Sequence, residues 1–441
     1  MRRDLPVQRN RPLIESRHVE SSIVAASPSK DRNGVNANAA RHGPLASFSN
    51  NQWYCHQSRQ SVFFSSFSSA KPDTDYLVKL AADIIAFVPQ LATHFQDANA
   101  SKAITPEILT QIVEHIEVDD LNAYPDGWNV SSDPLFDRPD LPMLRIFAAV
   151  RRDGADDKGR QAAILVLSTH ALLEGADSAL LTRSQHAGHD ELGAPPTKRS
   201  PIKHMLYTAI ASILAPLQLV AAFFLAPREV DIDYRALTIP RDKLRRIATH
   251  IGIRQRSLMF ALVCHTLNNG GKGFSKRKIS AIYADLEGKN VTSFEDEFFR
   301  YRMMEASFPV SDDFITFAKD VETEILRLEA SDVRATQSLL NALFGMHRWM
   351  KNNFPFLYSD RTFRFGGFYH LDLSVTPPHQ LRGPLTKGMM EPVYCGTHHP
   401  GLNICVFVPG RKEVTFNFTM NRRHLDNIDK VEALLQTFDQ N

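Results

Sequence analysis

Two short apolar runs joined by a charged turn limit the fold most strongly. Met143–Val150 reads MLRIFAAV, Gln161–Ser168 reads QAAILVLS, and Arg151–Arg160, RRDGADDKGR, lies between them. Brief runs this rich in Ile, Leu, Val and Phe predict strands buried in a sheet, and the polar, glycine-containing connector predicts a hairpin turn. The second strand stops at Ser168-Thr169-His170, and Ala171-Leu172-Leu173-Glu174-Gly175 follows. Gly175 is a breaker, and Ala176–Leu181 is placed to open a helix. His170 is therefore expected where a core strand ends and the chain turns.

A histidine at such a place has a use. Its ordinary pKa lies near neutrality, so it can take a proton from a hydroxyl or amine and return it later. A carboxylate four residues on, Glu174, can fix the turn by pairing with a distant cation, and Gly175 allows backbone angles that other residues resist. Most histidines at strand ends are satisfied polar groups with no chemistry, so this pattern alone assigns nothing.

Composition narrows the class. The chain has 441 residues, 43% hydrophobic and 23% charged, with a net charge of +2. That is a globular composition, long enough for two or three domains, and it offers no general case for nucleic-acid binding. Cys55, Cys264, Cys395 and Cys405 form no CxxC pair, which excludes a disulfide-stapled secreted domain and fits a reducing compartment. Cys264 falls in an apolar helical pattern and reads as core. Residues 1–49 have no apolar signal-peptide core. They are rich in Arg, Ser, Asn and Ala, and Asp4, Glu15, Glu20 and Asp31 favour a disordered tail over an organelle transit peptide.

Folded character is expected from about Phe48. Ser61–Ser69 predicts a strand and Asp73–Phe95 a helix that Pro89 kinks or ends. Ser101–Val118 reads as mixed, with Ile104, Ile108, Ile112, Val113 and Ile116 on one stripe. Ser184–Ile202 reads as a loop. Met205–Ala226 then holds no charge over 22 residues, long enough to cross a bilayer. Pro216 and scattered Tyr, Thr, Ser and Gln favour buried or lipid-facing surface helices instead. A single span, or a hairpin dipping into the interface, are the alternatives, and a span would separate the two halves of the chain.

Beyond it, Glu229–Pro240 predicts a strand, Arg241–Ile251 and Gln255–Leu267 helices, and Lys278–Leu286 a strand. Asp312–Ala330 and Val333–Phe354 read as helices, and Thr362–Val375 as short strands broken at Gly366-Gly367. Pro377–Pro384 reads as loop, Leu402–Pro409 and Glu413–Met420 as a hairpin, and Asp426–Phe438 as a helix. His398-His399, with Cys395 upstream, hints at a metal, but Gly396 and Pro400 read as loop and no second ligand pair is near; no metal is expected. His186 and His189 are read as solvated, and His250 and His347 as partly exposed on helices. The basic runs Arg241–Arg246 and Lys272–Lys278 are read as solvated faces rather than a phosphate site.

The ordered set of these pieces resembles the CoA-dependent acyltransferase superfamily, which includes chloramphenicol acetyltransferase, condensation domains and, as its nearest branch, bacterial wax ester synthase/diacylglycerol acyltransferases. Its H-H-x-x-x-D-G signature after a strand appears as Thr169-His170-Ala171-Leu172-Leu173-Glu174-Gly175. Asp133–Arg145 (DPLFDRPDLPMLR) is similar to the stretch preceding the histidine strand, Gly252–Leu267 to a helix of the second half, and Gly401–Asn427 to the C-terminal hairpin. The likeness spans roughly residues 50 to 440. Three departures stand out: Thr169 replaces the first His, Glu174 replaces Asp, and Arg256-Ser257 replaces an Asn-Asp pair.

The resemblance implies an α+β fold of two chloramphenicol-acetyltransferase-like halves with an interface tunnel. The tail would occupy 1–49, the half carrying HALLEG 50–202, an apolar helical connector 203–228 and the second half 229–441. It implies acyl-CoA as co-substrate, no permanently bound cofactor, and a hydroxyl acceptor such as an alcohol or diacylglycerol. His170 would be the general base, Thr169, Glu174 and Gly175 would support its turn, and Ser374 or Thr376 would contact the oxyanion or substrate. A cytoplasmic location, peripheral on a membrane surface, is expected, with no nucleic-acid partner. Condensation-type N-acyl transfer and a degenerate acyl- or lipid-binding member of the fold are the rival readings.

Overall fold

The computed structural model describes residues 48–87, 91, 104–122, 128, 134–138, 140–172, 201–226, 232–268, 278–286, 301–309, 311–330, 334–359, 361–364, 371–376 and 389–438. The tail expected over 1–49 lies almost wholly outside them, as do His186, His189, the loop Pro377–Pro384 and the turn residues Glu174 and Gly175. The helices, numbered in chain order, are α1 (Asn50–Gln57), α2 (Thr74–Phe87), α3 (Pro106–Thr110), α4 (Pro134–Asp137), α5 (Pro201–Leu225), α6 (Arg241–Ile251), α7 (Gln255–Asn268), α8 (Phe314–Glu329), α9 (Arg334–Asn353), α10 (Arg422–Leu425) and α11 (Asp429–Thr437).

The hairpin expected from the two apolar runs is present. Strands β3 (Leu144–Arg151) and β4 (Ala162–Thr169) pair antiparallel from Leu144 opposite Ser168 to Val150 opposite Ala162. On its other side β4 pairs with β1 (Ser61–Ser68), and β1 with β9 (Met389–His398). With β2 (Val113–Val118) parallel to β3, the first sheet runs β2-β3-β4-β1-β9. All eight residues of β1 are buried although its sequence, SVFFSSFS, holds four serines. A central strand with core on both faces leaves no polar-out side. Its hydroxyls turn to backbone instead: Ser66 donates to the Met390 carbonyl at 2.7 Å and Ser68 to that of Ala70 at 2.8 Å.

The second sheet is built from β5 (Ile232–Pro240), β6 (Lys278–Leu286), β7 (Tyr301–Pro309), β8 (Asp372–Val375), β10 (Ile404–Pro409) and β11 (Glu413–Asn421), in the order β5-β11-β10-β8-β6-β7. One face packs against α6, α7, α8 and α11 through Phe407, Phe416, Phe418, Leu262, Phe317 and Val431. In α7 every residue from Leu258 to Cys264 is buried, so it is the central helix of this layer. The α6 helix ends at Gly252, whose φ of 83° is left-handed and whose N–H closes on the Ala248 carbonyl. Arg254, just before α7, pairs with Glu322 and Glu329 of α8, and Arg256 in its first turn pairs with Glu329. The Arg256-Ser257 departure thus lies at a helix–helix junction. Mixed sheets with helices on their faces make the fold α+β.

The sheets meet along β9. Val393 and Cys395 share a hydrophobic cluster with Ile404, Val406 and Val408 of β10 and with Val62 and Phe64 of β1. On the opposite face of β1, Phe63 stacks edge-on against Tyr234 of β5, whose hydroxyl donates to Asn417 Oδ1 at 2.6 Å. A strand late in the chain thus completes the first sheet and ties it to the second.

Several expectations change. The mixed stretch Ser101–Val118 divides into α3, which ends at Thr110, and β2, which begins at Val113. Thr362–Arg364 is a 3-10 turn, and of the strands expected in Thr362–Val375 only β8 falls among the described residues. Strands β7 and β9 were not expected, and the second of these overturns the loop reading of Gly396. The α5 helix begins at Pro201, inside the expected loop, and runs through Pro216 without a break. His347 is buried, not partly exposed, because Nδ1 meets the Tyr358 hydroxyl and Nε2 meets Gln218 Oε1, both at 2.9 Å.

The closest approach is at Gly396, where an added Cβ would lie 2.4 Å from Phe63 Cζ. Phe63 is itself buried and cannot swing clear. Gly396→Ala is expected to destabilise the chain by about 1–3 kcal/mol through overpacking, read as a lower midpoint in urea unfolding; an unchanged midpoint would show that the two strands are not pressed together here.

Candidate active site at the end of the first sheet

The first residue of β1 and the last residues of β4 and β9 line up across the first sheet. Ser61 of β1 stands opposite Thr169 of β4 on one side and opposite His398 of β9 on the other. The next residue outward on each flanking strand is a histidine, His170 and His399. The residue before Ser61 is Gln60, whose carbonyl accepts the His170 N–H at 2.9 Å. The register of one central strand therefore brings the end of β4, with His170, level with the distant pair His398-His399 at the end of β9.

Thr169 shapes the turn beneath His170. It is fully buried, its hydroxyl oxygen accepts the Ala171 N–H at 3.2 Å, and its carbonyl accepts the Leu172 N–H at 3.2 Å. A threonine that bonds the backbone two residues on imitates a turn and holds it. One strand position earlier, Ser168 donates to the Met143 carbonyl at 2.8 Å. His170 is 7% exposed at the end of this fixed segment.

His399 is 4% exposed. Its Nδ1 accepts the Gly401 N–H at 3.0 Å, so the neutral ring carries its proton on Nε2. Burial pushes its pKa down to about 3, and positive charge at His398 and at His170 pushes the same way. Charge on His170 thus disfavours charge on His399. Sequence reading missed this pairing. It set His398-His399 in a loop, whereas the alternation Val393, Cys395 against Tyr394, Gly396 is that of a strand. Three positions apart on that strand, Cys395 and His398 face opposite ways. Among the described residues, no group of three or more His, Cys, Asp or Glu side chains is placed to hold a metal.

The second sheet contributes β8. Leu373 points to the helical core, which puts Asp372 and Ser374 on the opposite face. Thr376 is buried and both its N–H and its hydroxyl donate to the Phe407 carbonyl, at 2.9 and 3.3 Å. Ser374 stands in register with Val406. Sequence reading passed over Asp372. Burial raises its carboxyl pKa to about 7, and Oδ1 has no hydrogen-bond partner among the described residues. Asp372 is opposite Ile404, which is opposite Thr419. The Thr419 hydroxyl lies 3.4 Å from where a Gly396 Cβ would be. The row bearing Asp372 therefore meets β9 two residues before His398.

No family model matches the chain, and no curated protein matches it. Among solved structures, it is similar to a wax ester synthase/diacylglycerol acyltransferase from Marinobacter aquaeolei VT8, at 14% identity and a TM-score of 0.48, over 86% of this chain and 93% of that one. A nonribosomal-peptide cyclization-docking bidomain from Sorangium cellulosum gives 12% identity and a TM-score of 0.49, over 89% and 85%. A trichothecene 15-O-acetyltransferase from Fusarium sporotrichioides gives 11% and 0.47, over 87% and 94%. These are proteins of the kinds to which the sequence resemblance pointed. At such scores the likeness is of chain path, and no residue role is transferred from it.

The buried His399 has a pH signature. In the unfolded chain a histidine takes up its proton near pH 6.5, whereas in the fold His399 does so only at about pH 3. Below pH 6.5 the unfolded state therefore binds the extra proton, and native stability from this residue falls as pH falls, by roughly 1.4 kcal/mol per pH unit. Above pH 6.5 it contributes no slope. Histidine NMR at pH 5 is expected to find the His399 ring neutral with its proton on Nε2; a titration midpoint near 6.5 would contradict its burial.

Proposed function

We propose that the chain transfers an acyl group from acyl-CoA to the hydroxyl of an alcohol or diacylglycerol-like acceptor, with His170 as general base. The observation that supports this most is the placement of His170 itself: buried, at the first residue beyond a core strand, with its backbone fixed by Gln60 and its turn fixed by Thr169. Rigid presentation matters because about 1 Å of misplacement can cost roughly 100-fold in rate.

The reaction follows from that placement. His170 accepts the proton of the acceptor hydroxyl as its oxygen attacks the thioester carbonyl. The C–O bond forms, charge collects on the carbonyl oxygen, and its collapse breaks the C–S bond. The proton held on His170 passes to the leaving thiolate, so the base is restored and no external acid is consumed. The developing oxyanion needs a fixed donor. Ser374 is the better candidate on β8, because the Thr376 hydroxyl is directed to Phe407. A nearby neutral His399 keeps positive charge away from the base before the proton arrives. Glu174 and Gly175 would hold the far side of the turn.

Purified full-length chain incubated with acyl-CoA and a panel of alcohols, diacylglycerols and amines is expected to release free thiol with a hydroxyl acceptor. His170→Ala should lower that rate by about 100- to 10,000-fold, with unchanged circular dichroism. A rate unaffected by the substitution would remove His170 from the mechanism. Product with amines alone would favour the condensation-type reaction, and acyl binding without turnover would favour a degenerate scaffold.

A further inference from the structure

The α5 helix is built inside out. Its buried residues are small: Ala211, Ala215 and Ala222, with Ala226 just past its end. Ala211 and Ala215 cluster with Leu343 and Met350 of α9, Leu214 and Leu219 pack partly against them, and Gln218 contacts His347. Most of its large side chains point away from the protein: Met205, Leu206, Ile213, Leu217, Val220, Phe223, Phe224 and Leu225 are all exposed, Phe223 at 72% and Phe224 at 73%. A surface helix of a soluble protein orders its residues the other way. A second segment adds to this face. After α9 the chain exposes Phe354, Phe356 at 80% and Leu357, with Trp349 at 55% stacked edge-on against Phe354. Four residues past Leu357, Arg361 donates to the Ala226 carbonyl, which joins this aromatic segment to the end of α5.

We propose that this face docks the protein on an anionic phospholipid bilayer, with α5 lying in the plane of one leaflet. Charge selects this occupant. The nearest charged residues in sequence on either side of the uncharged stretch Met205–Ala226 are both cations, Lys203 and Arg228. An apolar segment so flanked suits acyl chains beneath anionic headgroups, with Trp and Phe at the boundary. Met205–Leu225 is long and apolar enough to span a membrane. Its Ala211 and Ala215, however, are clasped against α9, a helix with Asn341, His347, Arg348, Lys351, Asn352 and Asn353 that the hydrocarbon interior would penalise. The helix is about 37 Å long at 1.5 Å per residue and lies flat on its neighbour.

Trp349 gives the test a built-in probe, because Trp53 and Trp128, the other tryptophans, are buried. Full-length chain is mixed with vesicles of phosphatidylcholine alone and of phosphatidylcholine with phosphatidylserine, and read by flotation and tryptophan fluorescence. Binding is expected to be stronger, by about 10-fold or more, on the phosphatidylserine vesicles, with a blue shift and quenching by brominated lipid. Phe223→Ser, Phe224→Ser and Phe356→Ser combined should weaken binding at least about 10-fold, with unchanged circular dichroism because these rings are exposed. No binding to either vesicle, or binding that the triple variant leaves intact, overturns the proposal. So does a lipid-free dimer by sedimentation that the triple variant dissolves, which assigns the face to a second copy, or labelling of the chain from both sides of a sealed membrane, which assigns a span.

Discussion

The register of β1 is the constraint on which the rest depends. It lies between β4 and β9, and its first residue, Ser61, aligns Thr169 with His398. A shift of one residue on either side would turn the paired strand's side chains to the opposite face. Burial on both faces fixes that register, since Phe63 and Phe67 belong to one cluster and Val62 and Phe64 to another. The chemistry proposed for His170 thus rests on aromatic packing several residues from the imidazole.

That packing also links the two sheets. Gly396 lets β9 lie against Phe63, and Phe63 in turn meets Tyr234 of the second sheet. The same strand that brings in His398 is therefore the seam between the sheets. Asp372 and Thr419 stand on the second sheet at the level where the seam ends, and each has a buried oxygen without a hydrogen-bond partner among the described residues. Unpaired buried polar atoms are costly in a finished core and are retained near sites that meet substrate or water.

The sequence made some elements legible and hid others for physical reasons. The β3–β4 hairpin and the helices α6 and α7 are stated by apolar runs, turn residues and the Gly252 cap, all local signals. The β9 strand is not, because Gly396 and Pro400 read as loop; Gly396 is tolerated on this strand because it serves a close approach to Phe63 that only the neighbouring strand β1 explains. Helix α5 was legible as an apolar segment but not as one with alanines inward and phenylalanines outward, since hydropathy does not record which face finds a partner. Of the site, His170 and the turn formed by Thr169 could be placed from the motif. His399 and Asp372 could not, because their significance comes from strand register. Glu174 and Gly175 fall outside the described residues.

The central claim is that the His170 imidazole meets the thioester and its acceptor. Its most direct test is histidine NMR of the full chain, with His170 assigned by substitution, as a non-reactive thioether analogue of acyl-CoA is added. The account predicts that the His170 ring resonances shift as the analogue binds, while those of exposed His250 do not. Saturable binding that leaves the His170 resonances where they were would contradict it.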